Sequence, residues 1–375
     1  MSSRRLASIS AFVVAAVLGA QRPAAAVEFV FGSWPPAGDY MNRVALPKAF
    51  AEIAKETKNG ITWKLVPGGQ LADPKGSFQA VQDGLIQGAL GISTYVPNLV
   101  PSLNTIYSTI VFVDDPVAAT GAAVETLTLN CPSCLEEFKK INALPLAGWT
   151  SSPYQLACTA PIKNLADLKG KRVRATGGNA DFMKALGAVP VAATLVEAVG
   201  LLQRGGLDCQ FGVHSWLKIF GYADVAKHVT STPLGLTGPA VNMWNRDAWN
   251  KMTPDQKKLH LRQMSYVSAA LASGFFVTEN NQILEEIKGT KGVQIVQGDD
   301  KGFLDAAAKY DVEKRKVNVE NAKKFGVPNP EAIIDAYIKN LKKWTPISKE
   351  VGTDIDKFGA AIQREVYDKV DVSKL

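Results

Sequence analysis

The segment NLADLKGKRVRATGGN, residues 164–179, decides the fold assignment. It predicts a short helical turn that Asn164 caps and Gly170 ends, then a strand that ends at Arg174, then a helix that opens at Gly177-Gly178. Arg174 is therefore expected where a strand end meets a helix N-terminus. A guanidinium presents a planar fork of N–H donors to a carboxylate. The free N–H groups of a helix N-terminus also favour a negatively charged group. The segment predicts a carboxylate-recognition site.

The first 26 residues have the three-part pattern of a cleaved secretory signal. Arg4 and Arg5 precede an apolar run from residue 6 to about 18, and Ala24-Ala25-Ala26 stands before Val27. The run is too short for a permanent membrane anchor. We therefore expect export by general secretion or the twin-arginine route, and a mature chain that begins near Val27 without inserting into the membrane.

Length and charge limit the class of protein. Removing 26 residues from 375 leaves 349, more than a single core usually organises, so two domains are expected. The formal net charge of +7 includes Arg4, Arg5 and Arg22, so the mature chain carries 7 − 3 = +4. This charge is dispersed, without a block of basic residues or an aromatic-basic ladder. It predicts no nucleic-acid partner.

Four cysteines allow two disulfides in an exported chain, with three possible connectivities. Cys158 and Cys209 both fall in predicted strands, and we expect them to pair. Cys131-Pro132-Ser133-Cys134 has the spacing of a redox motif, but no thioredoxin-like pattern surrounds it. A small structural link or free thiols are the preferred interpretation.

The first region predicts a parallel sheet covered by helices. Strands are predicted at 27–33, 61–66 and 89–93, with a helix at 41–57 between the first two. Such a strand–helix–strand order gives parallel pairing, and ligands of these sheets bind at the carboxyl ends of the strands. Trp34 and Tyr95, which each follow a strand, are candidates for that position.

A second region begins after residue 153. It predicts strands at 154–158 and 205–212, the latter beside the Arg174 strand. Two further strands, 225–230 and 239–244, are expected to cross back to the first region. A capping box at Thr253 then predicts one long helix that reaches about residue 288 and bridges both regions.

The predicted fold class is α/β, a two-lobed binding-protein fold with mixed sheets, hinge strands and that long helix. The first lobe is expected to contain residues 27–150 and about 236–276. The second is expected to contain residues 151–235 and about 277–375, including a helical stretch from 300 to 370.

The sequence contains none of the common catalytic or cofactor-binding motifs. His214, His228 and His260 lack partners at metal-ligand spacing, so no metal is predicted. The sequence has no Gly-x-Ser-x-Gly elbow, Walker loop or Rossmann glycine pattern. We therefore expect no cofactor, no catalytic residues and a binding protein in preference to an enzyme.

The candidate binding residues are aromatic and polar side chains at or near predicted strand ends, as a closed small-molecule pocket requires. They are Arg174, Trp34, Tyr95, Trp149, Tyr154, Asn179, Gln210, His214, Trp216 and Asn242. A structural role in the core is the alternative for the aromatic residues and for His214. Asn242 fits a hinge and a pocket equally well.

Five motifs resemble one known family: GGQL at 68–71, VQDG at 81–84, LADLKGKRVR at 165–174, LGAVP at 186–190 and LQRGGLD at 202–208. The chain is similar to the DctP-like solute-binding subunits of tripartite ATP-independent periplasmic (TRAP) transporters. The resemblance implies a monomeric periplasmic receptor whose two lobes close over an organic acid. It implies that Arg174 pairs with the carboxylate, and that the liganded protein delivers its solute to an ion-driven membrane permease.

The sequence departs from two patterns of that family. Sialic-acid receptors have a second arginine where Tyr154 approximately falls, and receptors for metal-bridged 2-oxo acids have Glu-Trp where Phe211-Gly212 stands. Tyr154, Phe211 and Trp216 instead favour a monocarboxylate ligand with an apolar or aromatic body. Two other functions stay open: a secreted enzyme that uses His214 as acid or base, and a sensor subunit that contacts a signalling receptor.

Overall fold

The computed structural model describes residues 26–375, so the predicted export signal lies outside the described residues except for Ala26. The strands are β1 (Val27–Gly32), β2 (Ile61–Val66), β3 (Gly88–Gly91), β4 (Ala143–Trp149), β5 (Gln155–Cys158), β6 (Arg172–Arg174), β7 (Val189–Val191), β8 (Cys209–Gly212), β9 (His228–Thr230), β10 (Ala240–Asn245) and β11 (Gln294–Val296).

Helices cover both sheets and form the C-terminal part. They are α1 (Leu46–Glu56), α2 (Ser77–Gln82), α3 (Pro101–Tyr107), α4 (Pro116–Glu125), α5 (Pro132–Lys140), α6 (Leu165–Leu168), α7 (Gly178–Ala185), α8 (Leu195–Gln203), α9 (His214–Ile219), α10 (Arg246–Asn250), α11 (Pro254–Ala269), α12 (Asn280–Lys291), α13 (Asp300–Lys324), α14 (Pro330–Val351) and α15 (Ile355–Glu365). Three π-helical segments, Met41–Ala45, Thr126–Asn130 and Ala270–Glu279, adjoin these helices.

Two mixed sheets confirm the predicted α/β class. The first has the order β2-β1-β3-β10-β4, and the second has the order β11-β9-β5-β8-β6-β7. In the first sheet β1 is parallel to β2 and β3, while β10 is antiparallel to β3 and β4. In the second, β8 lies beside β6 in parallel, as the sequence predicted.

One strand prediction is wrong. Residues 225–230 do not cross back, because β9 pairs with β5 and β11 inside the second sheet. The hydroxyl of Thr230 also accepts a hydrogen bond from the Leu156 N–H at 3.1 Å. Of the two strands predicted to cross back, β10 is the one that joins the first sheet. A short apolar run shows that a strand forms, but it does not show which neighbour the strand pairs with.

The long helix is confirmed as a bridge. Thr253 Oγ1 accepts from the Gln256 N–H at 3.3 Å, and Gln256 Oε1 accepts from the Thr253 N–H at 2.8 Å, so the capping box is complete. From this cap α11, the π-helical segment Ala270–Glu279 and α12 follow without a break. α11 packs on α1 and β4 of the first lobe, and α12 packs on α9 of the second.

The last helices pack differently from the predicted division at about residue 277. α14 lies against α3 and α4, and α15 lies against α11, on the side of the first sheet. Glu125 accepts hydrogen bonds from Lys343 at 2.9 Å and from the Trp344 indole at 2.6 Å. The amphipathic pattern of these helices indicates a buried face without specifying the surface that covers it.

Both disulfides form within the described residues, which contain no free cysteine. Cys158 and Cys209 are direct register partners on the antiparallel strands β5 and β8, which confirms the expected pair. Cys131 and Cys134 form the second bond at the start of α5, where both are buried in the core. Their burial fits a structural link and not an exposed redox centre.

Candidate functional site

Arg174 ends β6 as a buried cation. Its residue exposure is 4%, its Nε donates to the Ala193 carbonyl at 2.8 Å, and its Nη2 donates to the Tyr95 hydroxyl at 3.1 Å. Among residues 26–375, no carboxylate lies within 4 Å of its guanidinium. The neighbouring Arg172, by contrast, is half exposed and forms an ion pair with Asp208 at 2.8 Å.

Tyrosines surround this guanidinium. Burial would lower the pKa of Arg174, but Tyr95, Tyr222, Tyr107 and Tyr154 hold it above its ordinary value. Burial also raises the pKa of Tyr95, and that of Tyr107 well above the ordinary value, so both hydroxyls stay protonated. The guanidinium and these phenols form a set of hydrogen-bond donors. An acceptor such as a carboxylate would complete the set.

A cavity with aromatic walls lies next to these tyrosines. It offers about 60 Å³ to the centres of water-sized molecules, enough for a few waters or one small organic molecule. Four residues predicted from the sequence line it: Trp34, Trp149, Tyr154 and Trp216. Its remaining wall comes from side chains that the sequence did not single out, including Asp39, Tyr107, Leu195, Phe220, Thr237, Phe275 and Phe276.

The cavity is closed by contacts between the lobes. Trp34 of the first lobe stacks on Phe220 of the second, with ring centroids 6.4 Å apart. Tyr95 joins the lobes as well, because its hydroxyl accepts from Arg174 and from the Leu195 N–H at 3.2 Å. The Thr94 hydroxyl donates to the Thr176 hydroxyl at 3.1 Å. The described conformation is therefore a closed one.

The Gly177-Gly178 pair permits this close approach. Gly177 has φ of +55°, a backbone conformation that residues other than glycine rarely adopt. A Cβ added at Gly178 would lie 2.1 Å from the Ser108 carbonyl oxygen, which belongs to the first lobe. The two glycines thus let the beginning of α7 contact the opposite lobe.

Five predicted residues adjoin the cavity without lining it: Arg174, Tyr95, Asn179, Gln210 and Asn242. Arg174 and Tyr95 reach its wall through the Tyr95 hydroxyl, which accepts from Arg174 and from the N–H of the lining residue Leu195. Asn179 Nδ2 donates to the Thr237 hydroxyl at 3.3 Å, and Gln210 Nε2 donates to the Phe211 carbonyl at 3.1 Å. Asn242 is fully buried on β10, in register with Leu90 of β3. Both polar atoms of its amide lack a partner among the described residues.

His214 lies apart from the other candidates. It lines a separate cavity of about 540 Å³ together with Asp114, Asp115 and Asn280. Burial lowers its pKa to about 4, so the ring is neutral at physiological pH. The structure does not bring His214 into the aromatic cavity beside Trp216, although the two residues are on one helix, α9.

Asp39 is the main residue that sequence reasoning missed. It lines the aromatic cavity with 7% exposure, and burial raises the pKa of its carboxyl to about 6. Its Oδ1 accepts from the Met41 N–H at 2.9 Å, at the start of the π-helical segment Met41–Ala45 that leads into α1. An aspartate immediately before a helix that follows a strand end was the available signal, but the same pattern marks an ordinary helix cap.

The family model described as bacterial extracellular solute-binding protein, family 7 (DctP), matches residues 31–315. The chain belongs to this family. TRAP transporters use family 7 proteins as their solute-binding subunits, so the resemblance inferred from the motifs is confirmed. A curated relative, the uncharacterized protein YiiZ of Salmonella typhimurium, is 30% identical over 102 residues. That match spans 27% of this chain and about a third, 31%, of the relative.

Solved structures of family 7 proteins share the fold. A TRAP solute-binding protein of Bordetella bronchiseptica with bound (R)- and (S)-mandelate has a TM-score of 0.71 at 24% identity, over 84% of this chain and 99% of that one. One from Rhodoferax ferrireducens with benzoate has a TM-score of 0.74 at 16% identity, over 86% and 99%. One from Pseudomonas putida F1 with D-glucuronate has a TM-score of 0.64 at 22% identity, over 80% and 98%.

Two further findings concern the described part of this family 7 protein. None of its helices combines the length and apolar character that crossing a membrane requires. No group of three or more histidine, cysteine, aspartate or glutamate side chains within residues 26–375 is placed to hold a metal ion.

Proposed function

We propose that this family 7 protein is a periplasmic receptor that captures a small monocarboxylate and delivers it to a TRAP-type permease. The observation that carries the proposal is the buried guanidinium of Arg174, which has hydrogen-bonded tyrosine and carbonyl partners but no carboxylate within the described residues. Buried charges in proteins are normally paired, because an unpaired one loses its hydration without compensation. A ligand carboxylate is the partner that the site lacks.

The walls of the cavity favour a ligand with an aromatic or apolar body. Trp34, Trp149, Trp216, Phe275 and Phe276 are among its aromatic lining residues. Flat rings and alkyl groups bury favourably against such walls, while polyhydroxylated acids would leave hydroxyls without partners there. The mandelate and benzoate bound by two proteins of the same fold belong to the class proposed here.

The enzyme alternative loses its main support. It relied on His214 as an acid or base, yet His214 faces the other cavity and its pKa is lowered to about 4. A base must lie within reach of the group from which it takes a proton. Binding without turnover is therefore the function that the geometry favours.

Calorimetry with a panel of carboxylic acids tests the proposal. Arg174→Ala should weaken binding by about 1.5–3 kcal/mol, or roughly ten- to a hundredfold, because it removes a charged hydrogen bond. Arg174→Lys should weaken it as well, since an ammonium cannot reproduce the bidentate fork.

Arg172→Ala is the matched control, because this arginine lies two residues away on the same strand and already pairs with Asp208 at the surface. Its effect on affinity should stay within about threefold. An Arg174→Ala variant that binds the best acid of the panel with unchanged affinity would refute the proposal.

A further inference from the structure

Asp39 is the one formally charged side chain among the described residues that line the aromatic cavity. Its Oδ1 serves the backbone, where it accepts from the Met41 N–H. No donor among the described residues is hydrogen-bonded to its Oδ2. One oxygen of this cavity-lining carboxyl is thus used by the helix start, and the other has no hydrogen-bond donor among the described residues.

Capping the helix does not require a carboxylate. Asparagine, serine and threonine accept the same backbone hydrogen bond without burying a charge. The buried carboxyl of Asp39 is destabilised in its ionised form, as its pKa of about 6 indicates. A second role for the free oxygen explains why a charged residue is present in an apolar cavity.

Asp39 and Arg174 act at different parts of the site. Arg174 lies with Tyr95 and Leu195, whereas the charges that act on Asp39 are Glu279 and Arg43. Arg43 is itself paired with Glu279. Arg174 does not neutralise Asp39. A ligand that contacts both residues therefore needs a negative group for Arg174 and a hydrogen-bond donor for Asp39.

Building on the function proposed above, we propose that Asp39 is a second polar anchor and that the natural ligand carries a hydrogen-bond donor remote from its carboxylate. The donor is a hydroxyl or an ammonium group, both of which Oδ2 of Asp39 accepts. A second carboxylate at that position would face the charge of Asp39. The inferred class is therefore hydroxylated or amino-substituted aromatic monocarboxylates, and dicarboxylates are excluded.

Calorimetry on the intact mature protein with matched acids tests the inference. The probes are benzoate, 3- and 4-hydroxybenzoate, and 3- and 4-(aminomethyl)benzoate. We expect the best donor-bearing acid to bind at least about tenfold more tightly than benzoate, as expected for a hydrogen bond to a charged group. Whether the hydroxyl or the ammonium series binds better identifies the kind of donor.

Two variants separate this role from helix capping. Asp39→Asn keeps the cap but presents an amide N–H₂, which cannot accept from an ammonium group; Asp39→Ser keeps the cap and removes the second oxygen altogether. In Asp39→Asn, the affinities of the two (aminomethyl)benzoates should fall to within about threefold of the affinity of benzoate. In Asp39→Ser, the affinities of the two hydroxybenzoates should fall to within about threefold of the affinity of benzoate. Far-UV circular dichroism checks that both variants fold.

The outcomes distinguish this inference from the proposed function. Equal binding of donor-bearing acids and benzoate by the wild type, or a preference that survives in both Asp39 variants, overturns the role of Asp39 alone. Unchanged affinity in Arg174→Ala overturns the carboxylate receptor itself. If none of these acids binds, the inferred ligand class is wrong, and the wider panel of carboxylic acids together with Arg174→Ala still decides the receptor function.

Discussion

Replacing Asp39 by asparagine should stabilise the unliganded protein at neutral and alkaline pH. The pKa of the carboxyl is raised from 3.8 to about 6 in the folded state, mainly by burial. Between these values the folded state binds more protons than the unfolded state, so stability falls as the pH rises through that window. Above about pH 6 both states are ionised and the loss is constant.

The size of the effect follows from the pKa difference. A rise of about 2 pH units is equivalent to about 3 kcal/mol, at about 1.36 kcal/mol per unit. Asparagine is neutral and retains an acceptor for the Met41 N–H, so it should recover most of this free energy at pH 8. At pH 4, where Asp39 is protonated in the folded protein, the gain should be below about 1 kcal/mol.

Urea unfolding of both proteins at pH 4 and pH 8, without ligand, measures these differences. Asp83→Asn, at an exposed aspartate outside the cavity, is the control, and it should change stability by less than about 0.5 kcal/mol. The reasoning is wrong if Asp39→Asn is no more stable than the wild type at pH 8, or if its gain is the same at both pH values. A stabilised variant with poorer ligand selection would show that the binding site is maintained at a cost in stability.

Two other variants test the closed state and the disulfides. Tyr95→Phe removes the hydroxyl that accepts from Arg174 and from the Leu195 N–H across the lobes. Calorimetry should therefore show an affinity loss of about tenfold. The control Tyr266→Phe, on the long helix, should leave the affinity unchanged. Replacing Cys158 and Cys209 by alanine should lower the free energy of unfolding by about 4 kcal/mol, because their bond closes a loop with a sequence separation of 51. The same change at Cys131 and Cys134, with a separation of 3, should cost less than about 2 kcal/mol, and equal losses would contradict the loop-entropy reasoning.

Local patterns in the sequence predicted the elements of the fold well. Asn164 accepts from the Asp167 N–H at 3.1 Å and Gly170 has φ of +75°, as the capped turn before Arg174 requires. Long-range placement was harder to predict. The turn and cap signals that define β9 and α14 are local, whereas their partners β5 and α4 lie at least 70 residues away.

The candidate site shows the same division. Trp34, Trp149, Tyr154 and Trp216 were found because strand ends of an α/β sheet converge on its ligand site. Phe275 and Phe276 were missed because they are part of an apolar helical stretch whose composition is that of a buried core. His214 was misplaced beside Trp216, because residues two positions apart on a helix point in different directions.

The distribution of tryptophan gives this protein an intrinsic optical signal for its ligand. Of its seven tryptophans, Trp34, Trp149 and Trp216 line the cavity. The other four, Trp63, Trp244, Trp249 and Trp344, are buried in packed helices and strands of the first lobe. Because Trp34 stacks on Phe220 across the lobes, we expect lobe opening to separate the two rings, expose the Trp34 indole to water and shift its emission to longer wavelength. Fluorescence excited at the tryptophan band should therefore follow capture and release in real time, without any attached dye.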